Sequence, residues 1–290
     1  MNGLAGSNIE TVGIVGSGVM GQGIAHAFLL KGVPVILTDV NDAIVKAGRD
    51  RIRRSVIKTA ERGKLSEPVD SVLERLTTLT AIEALRACNL VIEAVPEDPK
   101  LKVTILAKIA GVVDDGATIA SNTSSISIAS LAPSVRLPGR FLGLHFFNPV
   151  PASQLIEIVV GPDTDQDVVS SMAAVGIDLE KEVIVVKDSP GFASSRLGVL
   201  LGLEAIRMLE EGVASPEHID LAMTAGYRHP IGPLHLTDLV GLDIRLGVAE
   251  YLASKLGPRF EPPLLLRDMV ARGQLGRKSG SGFFDYTDVN

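Results

Sequence analysis

The sequence predicts an α/β fold: a doubly wound parallel sheet followed by an all-helical C-terminal domain. Short β-branched runs alternate with helical stretches up to about residue 188. A glycine-rich turn separates the first strand from the first helix, as is typical of such sheets. No β-branched run of strand length follows Asp188, and helical segments with clear ends take over. We therefore expect two domains, residues 1–188 and 189–290.

The individual elements follow from apolar runs and from the residues that end them. Strands are predicted at Thr11–Val15, Val33–Thr38, Leu90–Val95, Thr118–Ala120, Phe141–Phe147, Leu155–Val160 and Val183–Val186. Helices are predicted at Ile24–Leu30, from about Asp42, at Leu101–Val112, Arg196–Glu211, from Ser215, at Leu239–Leu256 and at Leu264–Arg272. Ser215, Pro216 and Glu217 predict a helix start, because they supply an N-cap, a proline at the first helical position and a first-turn acid.

The composition is that of an ordinary globular protein. The chain has 290 residues, 46% hydrophobic and 21% charged, which argues against a disordered or fibrous protein. A net charge of -6 argues against nucleic-acid binding, and we expect no membrane span. The lone Cys88 and the lack of a signal-peptide pattern predict a cytoplasmic protein. The five histidines show no metal-ligand spacing, so we expect no metal.

A dinucleotide-binding motif lies between the first strand and the first helix. The G-x-G-x-x-G sequence comprises Gly16, Ser17, Gly18, Val19, Met20 and Gly21. Its glycines permit a tight turn, close approach of a pyrophosphate and close helix packing. Asp39 ends the next strand 18 residues further on, where an acid can bind both ribose hydroxyls and repel a 2′-phosphate. The constellation predicts a Rossmann-type domain that binds NAD rather than NADP; a purely structural glycine turn is the alternative.

A histidine and a glutamate on successive strands form a candidate acid–base pair. His145 lies on the run that ends at Phe147, and Glu157 follows 12 residues later on the next run. Alcohol oxidation needs a base near neutral pKa, and a carboxylate on the far nitrogen of an imidazole fixes its tautomer. A histidine packed in the core is the alternative interpretation.

A run of small polar residues, Ser121–Ser125, follows a predicted strand. Ligands bind at the carboxyl ends of strands in such sheets, whereas helix capping is the structural alternative. Together with His145 and Glu157, Ser124 also raises the possibility of a Ser/His/Glu hydrolase. We discount that possibility because the chain contains no G-x-S-x-G sequence.

A basic stripe follows the second predicted strand. Between Lys46 and Lys64 there are eight basic residues and two acids. Arg51, Ser55, Lys58 and Arg62 follow helical spacing and so share one face. A cationic face on an acidic protein suits a small polyanion, such as the phosphates of an adenosine-bearing thioester carrier, although a solvated helix face is an equal alternative.

Taken together, the motifs resemble the 3-hydroxyacyl-CoA dehydrogenase family. The segments that carry the resemblance are Val12–Gly18, Glu93–Asp98, Ser121–Ser125, His145–Pro151, Pro190–Phe192, Gly232–Pro233, Val240–Asp243 and Gly276–Phe283. The resemblance implies an NAD-dependent enzyme that interconverts L-3-hydroxyacyl-CoA and 3-ketoacyl-CoA. It also implies a homodimer that associates through the helical domain.

The resemblance assigns roles position by position. His145 matches the catalytic histidine, Glu157 its carboxylate partner, and Ser124 the serine that touches substrate and cofactor. Other cofactor contacts align with Glu97, Lys102, Asn148 and Lys278. Ser55 falls where the family touches coenzyme A, Arg62 falls near a second, basic contact, and Asn148 also borders the substrate.

Ser195 departs from the family pattern. The family normally places an asparagine at this position, near the substrate carbonyl, just before an arginine that here is Arg196. A serine keeps a hydroxyl donor but is shorter, so the direct contact is lost or passes through water. The substitution bears on rate and substrate range more than on reaction class. The alternatives are an L-gulonate 3-dehydrogenase-like enzyme on a substrate without coenzyme A, and an NAD-binding protein without activity.

Overall fold

The computed structural model describes residues 9–287. One sheet has the strand order β3-β2-β1-β4-β5-β6-β7-β8. All neighbouring strands are parallel except β6 and β7, which are antiparallel. The strands are β1 (Val12–Val15), β2 (Val35–Thr38), β3 (Leu76–Leu79), β4 (Leu90–Glu93), β5 (Thr118–Ser121), β6 (Phe141–Phe146), β7 (Leu155–Val160) and β8 (Glu182–Lys187).

Helices connect the strands and make up the rest of the chain. Within the sheet region they are α1 (Val19–Leu30), α2 (Asp42–Glu61), α3 (Val69–Glu74), α4 (Pro99–Val112), α5 (Ile128–Leu131) and α6 (Gln166–Asp178). After it they are α7 (Ser194–Glu210), α8 (Pro216–Leu221), α9 (Pro233–Val240), α10 (Leu242–Leu256) and α11 (Leu264–Ala271). The predicted fold class, a Rossmann-type sheet followed by a helical domain, is confirmed.

The central strands are short and apolar because helices cover both faces of the sheet. Every residue of β1, β4, β5 and β6 is buried, which is typical of parallel strands in a doubly wound sheet. The strand order reverses between β1 and β4, since the chain runs from β1 to β2 and β3 and returns to β4 beside β1. The carboxyl ends of these strands therefore border the crevice where such sheets bind ligands.

Strand β3 and the helices α3, α5 and α6 were not predicted from the sequence. β3 is an edge strand with only Leu76 fully buried, so it lacks the apolar run that marks a central strand. Helix α6 covers β7 and β8 through Val168, Met172 and Val175. Its apolar residues are interrupted by serines and alanines, which weakens the periodic signal in the sequence.

The helix predicted at Leu239–Leu256 ends where α10 ends, but its predicted start is wrong. The structure has α9 and α10 there, separated at Gly241. The apolar pattern runs on across this point, but Gly241 adopts a φ of 101°. That conformation belongs to the region that favours glycine and ends a right-handed helix.

The chain divides into two compact units, Met1–Asp188 and Ser189–Asn290. The first contains the sheet and its core. The second has a core of its own, in which Leu203, Leu252, Phe260 and Leu266 are buried. Within residues 9–287, no helix combines the length and the apolar character that crossing a bilayer requires.

Candidate active site

The turn after β1 requires two of its three motif glycines for steric reasons. Gly16 adopts a φ of 105°, and a Cβ there would lie 2.6 Å from the Ala94 carbonyl oxygen. A Cβ on Gly21 would lie 1.8 Å from the carbonyl oxygen of Gly16. These two glycines therefore let the turn pack against β4 and let α1 pack against the turn.

The third glycine has no such requirement, and this points to a ligand. Gly18 has an ordinary φ of -67° and is the N-cap of α1, with no side-chain cap. Apart from its neighbours in the chain, no atom of residues 9–287 would lie within 4 Å of a Cβ on Gly18. The open space lies at the start of a helix, where the first N–H groups carry partial positive charge. A pyrophosphate fits this space, because its oxygens accept from those N–H groups only where no side chain intervenes.

Asp39 lies at the carboxyl end of β2 and holds the turn. Its Oδ2 accepts from the backbone nitrogen of Ser17 at 2.6 Å and from the Ser17 hydroxyl at 2.8 Å. The half-buried carboxylate remains at the strand end where a ribose would bind. Arg51 braces the same turn, since its Nη2 donates to the Ser17 carbonyl at 3.2 Å. In the motif helix, Val19 is exposed and Met20 packs on the core.

His145 and Glu157 are brought together by the sheet. The antiparallel register of β6 and β7 places the two residues directly opposite each other. His145 Nδ1 lies 3.0 Å from Glu157 Oε2, and their side chains are 8% and 0% exposed. A carboxylate this deeply buried accepts the Nδ1–H and so directs the acceptor nitrogen of the neutral ring, Nε2, to the other side. The arrangement can hold a general base in one tautomer.

The polar loop after β5 is organised around Glu97. Its Oε1 accepts from the Thr123 hydroxyl at 2.6 Å, from the Ser124 backbone nitrogen at 3.0 Å and from the Ser124 hydroxyl at 3.2 Å. Although burial opposes ionisation, the Lys102 ammonium and these hydrogen bonds lower the pKa of Glu97 below its ordinary value. Glu97 is thus an anion at neutral pH and orients Ser124.

The same loop is tied to the strand that carries His145. Asn122 Oδ1 accepts from the backbone nitrogen of Phe146 at 2.9 Å. His145 itself packs against the Phe147 ring, with centroids 4.3 Å apart. Ser124 and His145 therefore sit on neighbouring strand ends that share a hydrogen-bonded connection.

Glu93 is a site residue that sequence reasoning missed. Lys102 is fully buried, and its Nζ lies 2.8 Å and 3.0 Å from the two carboxylate oxygens of Glu93. Lys102 also lies 3.4 Å from Glu97 Oε2, and Glu93 accepts from the Ser121 hydroxyl at 2.6 Å. The Glu93–Lys102 pair thus connects β4, α4 and β5 at the base of the loop that carries Ser124. The sequence signal that could have identified Glu93 is an acidic residue at the end of an otherwise apolar, buried strand.

The remaining predicted positions are Ser55, Arg62, Asn148, Ser195 and Lys278. Ser55 is half-buried on α2, and Arg62, its C-cap, is exposed. Asn148 is exposed and precedes a cis peptide bond to Pro149. In the second unit, Ser195 lies in the first turn of α7, and the ammonium of Lys278 pairs with both oxygens of Asp243 at 2.5 and 2.6 Å.

Comparison with known proteins identifies the family. Residues 11–189 match the model of the 3-hydroxyacyl-CoA dehydrogenase NAD binding domain, and residues 191–286 match that of the family's C-terminal domain. The chain belongs to the 3-hydroxyacyl-CoA dehydrogenase family. It is an NAD-dependent oxidoreductase, and the open space at Gly18 fits that cofactor. The Ser/His/Glu hydrolase alternative has no support in this family assignment.

Members of the family resemble the chain over nearly its whole length. It is 43% identical over 282 residues to a 3-hydroxybutyryl-CoA dehydrogenase of Mycobacterium tuberculosis, covering 96% of this chain and 99% of the relative. It is 39% identical over 282 residues to a 3-hydroxyadipyl-CoA dehydrogenase of Escherichia coli, covering 96% and 59%. The crystal structure of (S)-3-hydroxybutyryl-CoA dehydrogenase from Ralstonia eutropha superposes with a TM-score of 0.93 at 44% identity, covering 97% and 100%.

Proposed function

We propose that this dehydrogenase interconverts L-3-hydroxyacyl-CoA and 3-ketoacyl-CoA, with His145 as its general base. The observation that carries the proposal is the buried His145–Glu157 pair, aligned by strand register at 3.0 Å. The sequence similarity to dehydrogenases of acyl-CoA thioesters supports the substrate class.

His145 moves the proton of the reacting hydroxyl. NAD would be held at the glycine turn and Asp39, where it would supply the hydride acceptor for the oxidation at C3. The Nε2 atom of His145 removes the hydroxyl proton in oxidation and returns it in reduction. Glu157 accepts from Nδ1, so it fixes the tautomer and stabilises the imidazolium that forms.

The serines and Asn148 orient the substrate in this proposal. Glu97 accepts from the backbone nitrogen of Ser124 and so holds the loop, while the Ser124 hydroxyl exchanges its hydrogen bond to Glu97 for one that it donates to the C3 oxygen. We assign Asn148 to the border between substrate and cofactor. Ser195 replaces the longer amide of the family and faces the substrate carbonyl.

The phosphates of coenzyme A bind along α2. This helix carries Ser55, Lys58 and Arg62 at spacings of three and four residues, with Lys58 and Arg62 exposed. A phosphate group pairs well with such charges because its oxygens accept several hydrogen bonds. Arg51 is excluded from this role, since its guanidinium is committed to the glycine turn.

The roles of the two units and the assembly are further proposals. We assign NAD binding and the contacts of α2 with coenzyme A to residues 1–188, and a further part of substrate binding, together with dimerisation, to residues 189–290. Lys278 is proposed as a cofactor contact. Exposed apolar side chains support a homodimer, including Leu197 at 69% and Ile244 at 51% exposed. The buried lone thiol of Cys88 supports a cytoplasmic location.

The acyl chain is not fixed by the relatives. One acts on a hydroxybutyryl thioester and another on a hydroxyadipyl thioester, according to their names. The hydroxybutyryl group ends in a methyl group, and the hydroxyadipyl group ends in a carboxylate. We propose a short acyl chain of four to about six carbons, which spans both classes.

The test is NADH oxidation, followed at 340 nm, with acetoacetyl-CoA, free acetoacetate and NADPH as comparisons. We expect NADH-dependent turnover of the thioester alone. His145→Ala should lower kcat at least about 10²-fold, because the proton acceptor is lost. The affinity for NADH, measured by fluorescence titration, should stay within about twofold. His218→Ala is the control, since His218 is exposed on α8.

Three results would contradict the proposal. Full turnover by His145→Ala would remove its role as base. Turnover of free acetoacetate but not of the thioester would indicate a substrate without coenzyme A, and NADH binding without any turnover would indicate a non-catalytic protein.

A further inference from the structure

Arg245 is a buried cation in the second unit that the mechanism does not use. It lies on α10, and only 6% of the residue is exposed. Its guanidinium lies against α7 where that helix has two glycines. A Cβ on Gly202 would lie 3.5 Å from Nε and 3.6 Å from Cζ, and a Cβ on Gly198 would lie 3.9 Å from Nη1. The guanidinium therefore extends along α7 from Gly202 towards Gly198, in the direction of the helix N-terminus.

This guanidinium has no counter-ion among residues 9–287. No carboxylate of the described chain lies within ion-pair distance of it, and Nε is buried without a hydrogen-bond partner. Burial lowers the pKa of Arg245 to about 10, so the group is still charged at neutral pH. A buried charge is expensive to leave unpaired, whereas a carboxylate that arrives with a ligand offsets the cost.

The cation lies on the same face of α7 as Ser195. Ser195, Gly198 and Gly202 are spaced by three and four residues, so they form one row along the helix. Gly198 and Gly202 have no side chains, so the row is open on the C-terminal side of Ser195. Three residues, with a rise of about 4.5 Å along the helix, separate the position of Ser195 from that of Gly198. Three carbon–carbon bonds, the length from C3 to C6 of an acyl chain, cover a similar distance.

We infer that the preferred substrate of this dehydrogenase carries a carboxylate at the end of its acyl chain, and that Arg245 binds this carboxylate. The inference rests on the proposed function, because that function places the C3 carbonyl of the substrate at Ser195. A guanidinium suits the task, since its planar fork donates two parallel hydrogen bonds to a carboxylate. The redox step is unchanged: C3 gains a hydride from NADH, its oxygen gains a proton, and the terminal carboxylate is not altered.

The test compares two thioesters of equal length, 3-oxoadipyl-CoA and 3-oxohexanoyl-CoA. They differ only in the terminal group. We expect kcat/KM of the wild-type enzyme to be about 10²-fold higher for 3-oxoadipyl-CoA, since a site built around a buried donor discriminates strongly against a ligand that leaves it unpaired. A wild-type preference for 3-oxohexanoyl-CoA, or equal use of both, would overturn the inference without any variant.

Arg245→Met removes the charge and keeps the length of the side chain. It should lower kcat/KM for 3-oxoadipyl-CoA about 10²-fold, mainly through KM, and change that for 3-oxohexanoyl-CoA less than about threefold. Arg245→Lys keeps the charge but not the planar guanidinium, so its kcat/KM for 3-oxoadipyl-CoA should lie between those of wild type and Arg245→Met. Arg272→Met is the matched control, because Arg272 is exposed in the same unit.

The remaining outcomes separate the possible failures. Equal losses for both thioesters in Arg245→Met would show a structural role and overturn the inference. Loss of the dimer with an unchanged substrate preference would identify a carboxylate of a second copy as the counter-ion, which also overturns it. If the wild-type enzyme turns over acetoacetyl-CoA but neither six-carbon thioester, the inference fails and the proposed function stands. Turnover of none of the three, with NADH still bound, rejects both.

Discussion

At the scale of single residues, the three motif glycines are not equivalent. Gly16 and Gly21 are fixed by close contacts with the protein, whereas Gly18 borders space that no side chain of residues 9–287 fills. The sequence motif presents all three as the same letter. Only the structure separates the two glycines that the fold needs from the one that borders open space at the start of α1.

Gly18→Ala should therefore weaken NADH binding without lowering stability, whereas Gly21→Ala should lower stability. We expect Gly18→Ala to unfold at the wild-type temperature but to bind NADH about tenfold more weakly or worse, because the methyl group occupies the pyrophosphate space. Gly21→Ala should lower the Tm by several degrees, since its Cβ would lie 1.8 Å from a backbone oxygen. Calorimetry and fluorescence titration measure both quantities. Wild-type NADH affinity in Gly18→Ala would refute the assigned position.

His26 is a residue whose burial makes stability depend on pH. It lies on α1 and is 2% exposed, and its Nε2 lies 3.1 Å from the Thr59 hydroxyl on α2. That hydroxyl donates to the Ser55 carbonyl, so it accepts from Nε2. Burial lowers the pKa of His26 from 6.5 to about 4. Protonation of His26 thus disfavours the folded state.

The sign of the effect follows from proton uptake. Above pH 6.5 both states are neutral at His26, and between pH 6.5 and about 4 only the unfolded state takes up the proton. The free energy of unfolding should therefore fall by about 2 kcal/mol from this group between pH 7 and pH 5. Chemical denaturation of wild type and His26→Gln at the two pH values measures it. An equal decrease in both proteins would show that His26 is not responsible.

At the scale of elements, the site depends on a buried ion pair that joins a strand, a helix and a second strand. Glu93 ends β4, Lys102 comes from α4, and Ser121 ends β5. Both charged side chains are fully buried. The pair also holds the loop of Ser124 in place, because Lys102 contacts Glu97, which accepts hydrogen bonds from Ser124.

Breaking this pair from one side should be costly. We expect Glu93→Gln or Lys102→Met to lower the free energy of unfolding by about 3–5 kcal/mol, because each leaves a buried charge without its partner. The double variant Glu93→Gln/Lys102→Met should lose less than the sum of the single losses. Guanidinium denaturation of the four proteins tests this coupling. Additive losses would mean that the two charges do not stabilise each other.

At the scale of the whole molecule, the second unit presents an apolar surface that a second copy would cover. Leu197 of α7 and Ile244 of α10 are exposed in the isolated chain. A mass of about twice 30.6 kDa is expected by size-exclusion chromatography with light scattering. Leu197→Glu should shift the protein towards monomer, whereas Ile177→Glu, at an exposed apolar site of the first unit, should not. A monomeric wild-type protein would reject the homodimer.

The sequence by itself determined the fold class, the nucleotide turn and the family. These features are local: a strand, a glycine turn and a helix follow each other within about 20 residues, and the motifs are contiguous. Periodicity fails where it runs through a conformational break, as at Gly241, or where an edge strand is polar, as at β3.

Only the tertiary structure decided which distant residues meet. The antiparallel register of β6 and β7 places Glu157 opposite His145, and the packing of α4 pairs Lys102 with Glu93. No local pattern reports that Arg245 lies buried against two glycines of another helix. Such contacts depend on register and helix packing, which are set by the whole core rather than by neighbouring residues in the chain.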